Sequence, residues 1–343
     1  GDEGAADDDG ARRFSDLAAA VRWAPAGSSV VVRAGAHVLR EAAVVRRSLS
    51  IVGEGGARIV RRGGGSVVVV EAPADAEVSV SGLTLAQMPA AAGEAAADDA
   101  GDAVVVRGGI VQMRGVTLSS ATSGCLFVSA AARVALRGCT LREARAHGAL
   151  ASGTSELALH HCLLYRLGAA GVEARGRSRV RLCGTRVHQA ARSALFAAGA
   201  SDLAAARCDI AGAGCAGVEG AAQAEVRLTD SVVRASKKGG VLLLGAARAE
   251  IVGCALRQSS MAGLTVRGAA RAELRESVVC GGRTSGVYVC ERGTALLVRN
   301  TIADNGLAGV EVGAGGAVEA EENALEGNAE AWVGAAASVR TVT

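Results

Sequence analysis

The sequence predicts an all-β fold, a solenoid of about 12 coils in which three short strands per coil stack into three parallel sheets. Three observations lead there. A period of 23 residues runs without a slip: with Gly148 as position one, Gly171, Ala194, Gly217, Gly240, Gly263, Gly286 and Gly309 follow. Position two then reads Ala149, Val172, Leu195, Val218, Val241, Leu264, Val287 and Val310, and position seventeen reads Leu164, Val187, Ile210, Val233, Leu256, Val279, Ile302 and Leu325. Within each repeat the apolar residues fall at positions two, four, ten, twelve, fifteen and seventeen. That is period-two alternation in three bursts, separated by turns of Gly, Ala, Ser and Arg. A leucine-rich horseshoe has an overlapping repeat length, but its regular Asn-anchored Leu pattern is missing, and three strands leave no room for a helix.

Position fifteen reads Val116, Cys139, Cys162, Thr185, Cys208, Ser231, Cys254, Ser277, Asn300 and Asn323. Small polar or sulfur side chains one above another predict an internal ladder beside a turn, with Cys acting as a small hydrophobe. This accounts for four of the nine cysteines without chemistry. Cys139 and Cys162 fall near disulfide distance in such a stack. The stack neighbours of Cys208 and Cys254 are Thr and Ser, so no cysteine metal site is expected. An odd cysteine count without paired spacing points to a reducing compartment, cytoplasmic or nuclear.

Upstream of the repeat, Phe14, Leu17, Ala18 and Val21 share one helical face, with Ser15 or Asp16 at the start and Pro25 past the end. This helix is expected to plug the first coil, whose open strand edges otherwise invite aggregation. The boundaries follow: an acidic disordered segment over 1–11, a cap helix and entry strands over 12–42, the coils over 43–331, and a closing strand or start of a cap over 332–343. The opening "GDEGAADDDG" lacks an initiator methionine and a signal-peptide core, which reads as a piece of a longer protein.

Half of the residues are apolar but only 2% are aromatic, so the core is layered from small side chains. The net charge of +3 comes from interspersed signs, with Lys237 and Lys238 the only lysines, which argues against a nucleic-acid partner. No stretch reaches eighteen uninterrupted apolar residues, so no membrane-spanning helix is expected.

The helix, the "PAGSSVVVRAGAHVL" strand pair and "SLSIVGEGG" resemble the entrance of right-handed parallel β-helices of the pectin-lyase-like superfamily. The phrase "SVVVVEAPADAEVSVSGLTL" and the later coils are similar to the β-helical region of F-box-type ubiquitin-ligase adaptors and SHC-binding proteins. The chain contains no F-box. The resemblance implies that an enzyme would carry stacked aspartates with an arginine, an "NTD", "DD", "GHG" set, or "DPHE"; none occurs here. "AHGA" at 146–149 has no aspartate pair in neighbouring coils, and "ADNG" at 303–306 reads as a turn. His160 and His161 are adjacent on a strand and so face apart. His147 and His188 fall at turns, and His37 lies in the entrance.

Position three is expected to face outward, since positions two and four face in. It reads Phe127, Leu150, Glu173, Phe196, Glu219, Leu242, Thr265, Tyr288 and Glu311, with Arg175, Leu244, Arg267 and Cys290 beside it at position five. An apolar row rimmed by charge predicts a binding surface made of Phe127, Leu150, Glu173, Arg175, Phe196, Glu219, Leu242, Arg267 and Tyr288. Glu173 and Glu219 are the candidate catalytic carboxylates, about 9–10 Å apart at two strand spacings, near the separation used by inverting glycosidases. Phe196 stands between them. A coil ten residues longer than the rest carries the acidic loop 88–102, a candidate cover for this row. Its Glu94, Asp98, Asp99 and Asp102 lack a spaced calcium pattern. With no catalytic cluster, metal or cofactor motif, the leading expectation is a non-catalytic module that grips a protein partner, as a ubiquitin-ligase adaptor would. A carbohydrate-active β-helix acting on a polysaccharide is the alternative.

Overall fold

The computed structural model describes residues 12–90, 101–334 and 339–342. It is an all-β parallel solenoid of about 13 turns with one short helix near its start. Two compact units are distinguished, residues 1–163 and 164–343.

One coil of the second unit shows how the sequence builds the fold. Strands Leu264–Val266, Arg271–Arg275 and Val278–Cys280 are joined by corners that each contain one residue in the left-handed region: Gly268 (φ 74°), Glu276 (φ 48°) and Gly281 (φ 67°). Leu264, Val266, Leu274 and Val279 point inward and are fully buried. Each such Val or Leu contributes about 1.5–3 kcal/mol relative to an exposed one. Each strand pairs in parallel and in register with the one a repeat later, Leu264 opposite Val287, Arg271 opposite Thr294 and Val278 opposite Thr301. We number the sheets by these strands: sheet 1 holds positions nine to thirteen, sheet 2 begins at sixteen, and sheet 3 centres on two to four.

Many corner residues are not glycine. His161, Arg207, Asp230, Glu276, Arg299 and Glu322 occupy position fourteen with φ between 47° and 53°. His161 is therefore a turn residue and not, as expected, the strand partner of His160, which ends the strand Glu156–His160.

The position-fifteen ladder forms in the second unit. Cys208 and Cys254 donate their backbone N–H to Ser231 and Ser277 Oγ at 3.0 Å. Ser277 N–H donates to Asn300 Oδ1 (3.0 Å), and Asn300 N–H to Asn323 Oδ1 (2.9 Å). In the first unit Cys139 and Cys162 are buried free thiols, each donating to backbone carbonyls, Cys139 Sγ to Met113 O (3.5 Å) and Cys162 Sγ to His160 O (3.4 Å). A second ladder, not expected from the sequence, stands at position twenty: Gly282 N–H donates to Asn305 Oδ1 and Asn305 N–H to Asn328 Oδ1, both at 3.0 Å.

In the first unit, helix α1 spans Leu17–Trp23 and is capped by Asp16, whose carboxylate accepts from Ala19 N–H at 2.8 Å. Leu17, Ala18, Ala20 and Val21 are buried, and the helix packs on strands Ala43–Val45 and Ser29–Val32. His37 lies on the strand Gly35–Leu39, its Nε2 2.9 Å from Arg33 O. No helix among the described residues is long and apolar enough to cross a membrane.

Candidate functional site

Position three lines the outer face of sheet 3. In the second unit the register runs Glu173, Phe196, Glu219, Leu242, Thr265, Tyr288 and Glu311, one residue per strand. In the first unit Phe127 lies opposite Leu150. The row is not the open apolar patch expected from the sequence: Phe127, Leu150, Phe196, Leu242 and Tyr288 are all half-buried by their strand neighbours. Glu173 is buried and ion-paired with Arg175, whose side chain stays largely exposed. Cys290, expected beside the row on the surface, is also buried, because Gly313 closes over it and Tyr288.

The carboxylates of the row are held from below. Ser193, just before the Phe196 strand, donates its hydroxyl to Glu219 Oε2 on the next strand. Ser285 stands in the same relation to Glu311 Oε2 at 2.5 Å, four repeats later. Tyr288's hydroxyl is pushed above its usual range by its hydrogen bond to Cys290, by partial burial, and by the nearby Glu311 carboxylate. Arg267, beside the row, binds Glu291 at 2.8 Å. Glu173 and Glu219 sit two strands apart with Phe196 between them, and among the described residues no histidine or second acid joins them.

Two histidines have partners that the sequence did not reveal. In the first unit His147 Nε2 lies 3.4 Å from Asp102 Oδ1, and each side chain is only 13% exposed, so His147 is not a solvated turn residue. Asp102 Oδ1 also accepts from Ser123 Oγ (2.9 Å) and Gly124 N–H (2.6 Å). Burial pushes the Asp102 carboxyl up, but the neighbouring His147 imidazole and the bonds from Ser123 and Gly124 outweigh it and leave its pKa below the usual carboxylate value. The aspartate, not the histidine, is the hub, so this is no nucleophilic triad, in which the histidine must touch the serine.

In the second unit His188 lies on the strand Arg186–Ala190 of sheet 2, not at a turn, and its Nε2 is 3.1 Å from Asp209 Oδ2. Arg234 holds the same carboxylate side-on, Nε to Oδ1 at 3.1 Å and Nη2 to Oδ2 at 3.0 Å. The signal available was a pair of separations of 21 and 25 residues, the repeat minus and plus two. Those are diagonal contacts between adjacent strands, which reading straight up each column misses.

No group of three or more His, Cys, Asp or Glu side chains fit to hold a metal occurs among the described residues. Of the candidate calcium loop, Glu94, Asp98 and Asp99 lie outside the described residues.

Comparison with known proteins fits these coils and corners. The profile of the "Right handed beta helix region" family matches residues 102–256 and 235–342, and the chain belongs to that family. No curated protein matches it. Among solved structures it is similar to the mannuronan C-5 epimerase AlgE4 A-module of Azotobacter vinelandii, at a TM-score of 0.71 and 12% identity, covering 95% of this chain and 94% of that one. The periplasmic alginate epimerase AlgG gives 0.64 at 11% identity over 96% and 83%. The catalytic domain of GH87 α-1,3-glucanase with tetrasaccharides gives 0.55 at 11% identity over 90% and 64%. At such identities the likeness is one of fold. The similarity to F-box-type adaptors and SHC-binding proteins is not supported, and the protein-gripping module falls with it.

Proposed function

We propose that the chain is a carbohydrate-active β-helix protein that holds a polysaccharide along the outer face of sheet 3 in its second unit. The observation that carries this reading is one row, a residue per strand, in which anchored carboxylates are interspersed with apolar and aromatic side chains. Glu173, Glu219 and Glu311 are each fixed by a neighbour, Arg175, Ser193 and Ser285. Between them Phe196, Leu242 and Tyr288 present half-buried surfaces. A sugar ring has apolar C–H faces that lie against an aromatic ring and a rim of hydroxyls that donate to carboxylates. A glycan laid across the strands meets both kinds of group in turn.

The similar structures support the same class of ligand: epimerases of mannuronan and alginate, and a glucanase in complex with tetrasaccharides. For catalysis, Glu219 is the better placed of the two candidate carboxylates, being half-buried, while Glu173 is buried against Arg175. In the first unit Phe127 and Leu150 offer a smaller apolar contact of the same kind.

The test is a polysaccharide panel scored for binding and for new reducing or unsaturated ends. The native protein is compared with Phe196→Ala/Tyr288→Ala and with Glu219→Gln. Binding that is lost in the aromatic double variant supports the reading, and product formation lost in Glu219→Gln makes the protein an enzyme. A native protein that retains no polysaccharide on the panel overturns the proposal.

A further inference from the structure

On the outer face of sheet 2 and the corner that follows it, six cations, Arg186, Arg192, Arg234, Lys237, Lys238 and Arg257, lie within four successive repeats of the second unit. The strand and corner positions they occupy hold one carboxylate, Asp209, in a chain whose whole excess of positive charge is three. Both lysines of the chain are here.

The strip is cationic in a way that the other faces are not. On sheets 1 and 3 acids are interspersed among the arginines: Arg227 meets Asp202, Arg275 meets Glu273, Arg267 meets Glu291, and the facing Arg248 and Arg271 share their strands with Glu250 and Glu273. On the strip, Arg186, Arg192, Lys237, Lys238 and Arg257 are exposed and have no carboxylate within 4.0 Å among the described residues. Arg234 and Arg257 stand directly opposite each other on adjacent strands, an arrangement that costs stability through like-charge repulsion. Asp209 offsets part of this by holding Arg234 through Nε and Nη2, which fixes the guanidinium and leaves its remaining donors available. Guanidinium groups are matched to oxyanions such as carboxylate and sulfate, and a row of them at the strand spacing suits a polymer rather than a single ion.

We propose that this strip is an anion-binding track that seats an acidic polysaccharide, through its carboxylate or sulfate groups, on a face separate from the Phe196–Tyr288 row. The proposal rests on the carbohydrate reading above but not on the row. A nucleic acid is disfavoured because the aromatic residues of the unit lie elsewhere, apart from Tyr165 at the start of the strip, so bases have almost nothing on which to stack.

The experiment measures binding of the full chain to heparin (sulfated), polygalacturonate (carboxylated), dextran (neutral) and duplex DNA, at low and near-physiological salt. The variants are Arg186→Gln/Lys237→Gln/Lys238→Gln/Arg257→Gln and, as the row control, Phe196→Ala/Tyr288→Ala, both checked for unchanged circular dichroism and melting. We expect at least one acidic glycan to bind in a salt-sensitive way, with affinity falling on the order of tenfold or more in the quadruple variant but not in the row variant. The two glycan arms tell sulfate from carboxylate. A quadruple variant that binds as the native protein does, binding to neither acidic glycan, or duplex DNA bound as tightly as either glycan, overturns the track. Dextran binding that is lost only in the row variant leaves the proposed function standing while the track falls.

Discussion

Asn300 offers the sharpest test of what holds the coils in register. Its side chain is buried at 2% exposure and joins three strands of chain. Oδ1 accepts from Ser277 N–H at 3.0 Å, and Nδ2 donates to Leu274 O and to Asn323 Oδ1, each at 2.8 Å. Asn300→Ala removes all three bonds. Asn323 Oδ1 keeps the Asn300 backbone N–H, but the buried Ser277 N–H and Leu274 O lose these side-chain partners. At about 1–3 kcal/mol for each buried group left unsatisfied, the variant loses about 2–6 kcal/mol. Asn300→Ser costs less, since a serine hydroxyl at this position already accepts the preceding backbone N–H at Ser231 and Ser277. The assay is urea unfolding, combined with amide exchange over residues 274–323, because a solenoid opens locally as well as globally. An Asn300→Ala protein within about 0.5 kcal/mol of the native one, with unchanged exchange, refutes the account of the ladder.

Three further outcomes follow from the same coordinates. Ala235 sits in the left-handed region at φ 55°, at a position where the preceding repeat has Gly212 and the next two have Gln258 and Gly281, so Ala235→Gly is expected to raise the melting temperature by relieving about 0.5–1 kcal/mol of backbone strain. The Asp102 carboxyl has a folded pKa below its unfolded value, so its contribution is present above the unfolded pKa and lost as pH falls through the folded one. Asp102→Asn should therefore unfold more readily at neutral pH and lose part of the native protein's sensitivity to acid, as read by denaturation midpoints across the acid limb. Gly263→Ala should destabilise the fold, since its β-carbon would collide with Val279 Cγ1 and approach Gly286 O at 2.9 Å; a melting curve checks it.

The fold was legible because parallel stacking repeats a chemical environment every 23 residues, so each column of like residues reports one place in the cross-section. The position-fifteen ladder could be read in this way. Position twenty could not, since its column runs Leu167, Ala190, Ala213, Ser236, Ser259, Gly282 before reaching Asn305 and Asn328. The site was legible only in part. Alternation gave the outward direction of Phe196 and Tyr288 but not the depth to which their neighbours cover them. The serine–glutamate supports, 26 residues apart, and the Asp209 cluster lie diagonally across strands, where no single column reveals them.

The glycines of position one carry a consequence for how such a chain changes over time. A β-carbon at Gly217, Gly263 or Gly286 would strike the branched residue of position seventeen in its own coil and crowd the carbonyl one coil on. At these three places almost nothing but hydrogen fits, although the same column accepts the single methyl of Ala194. An insertion or deletion of any length other than a whole repeat, unless a corner loops it out, slides a bulky side chain into every later member of that column. Descendants of this sequence are therefore expected to gain and lose length in units of one full coil or as loops at the corners, and to drift freely only in the side chains that face outward.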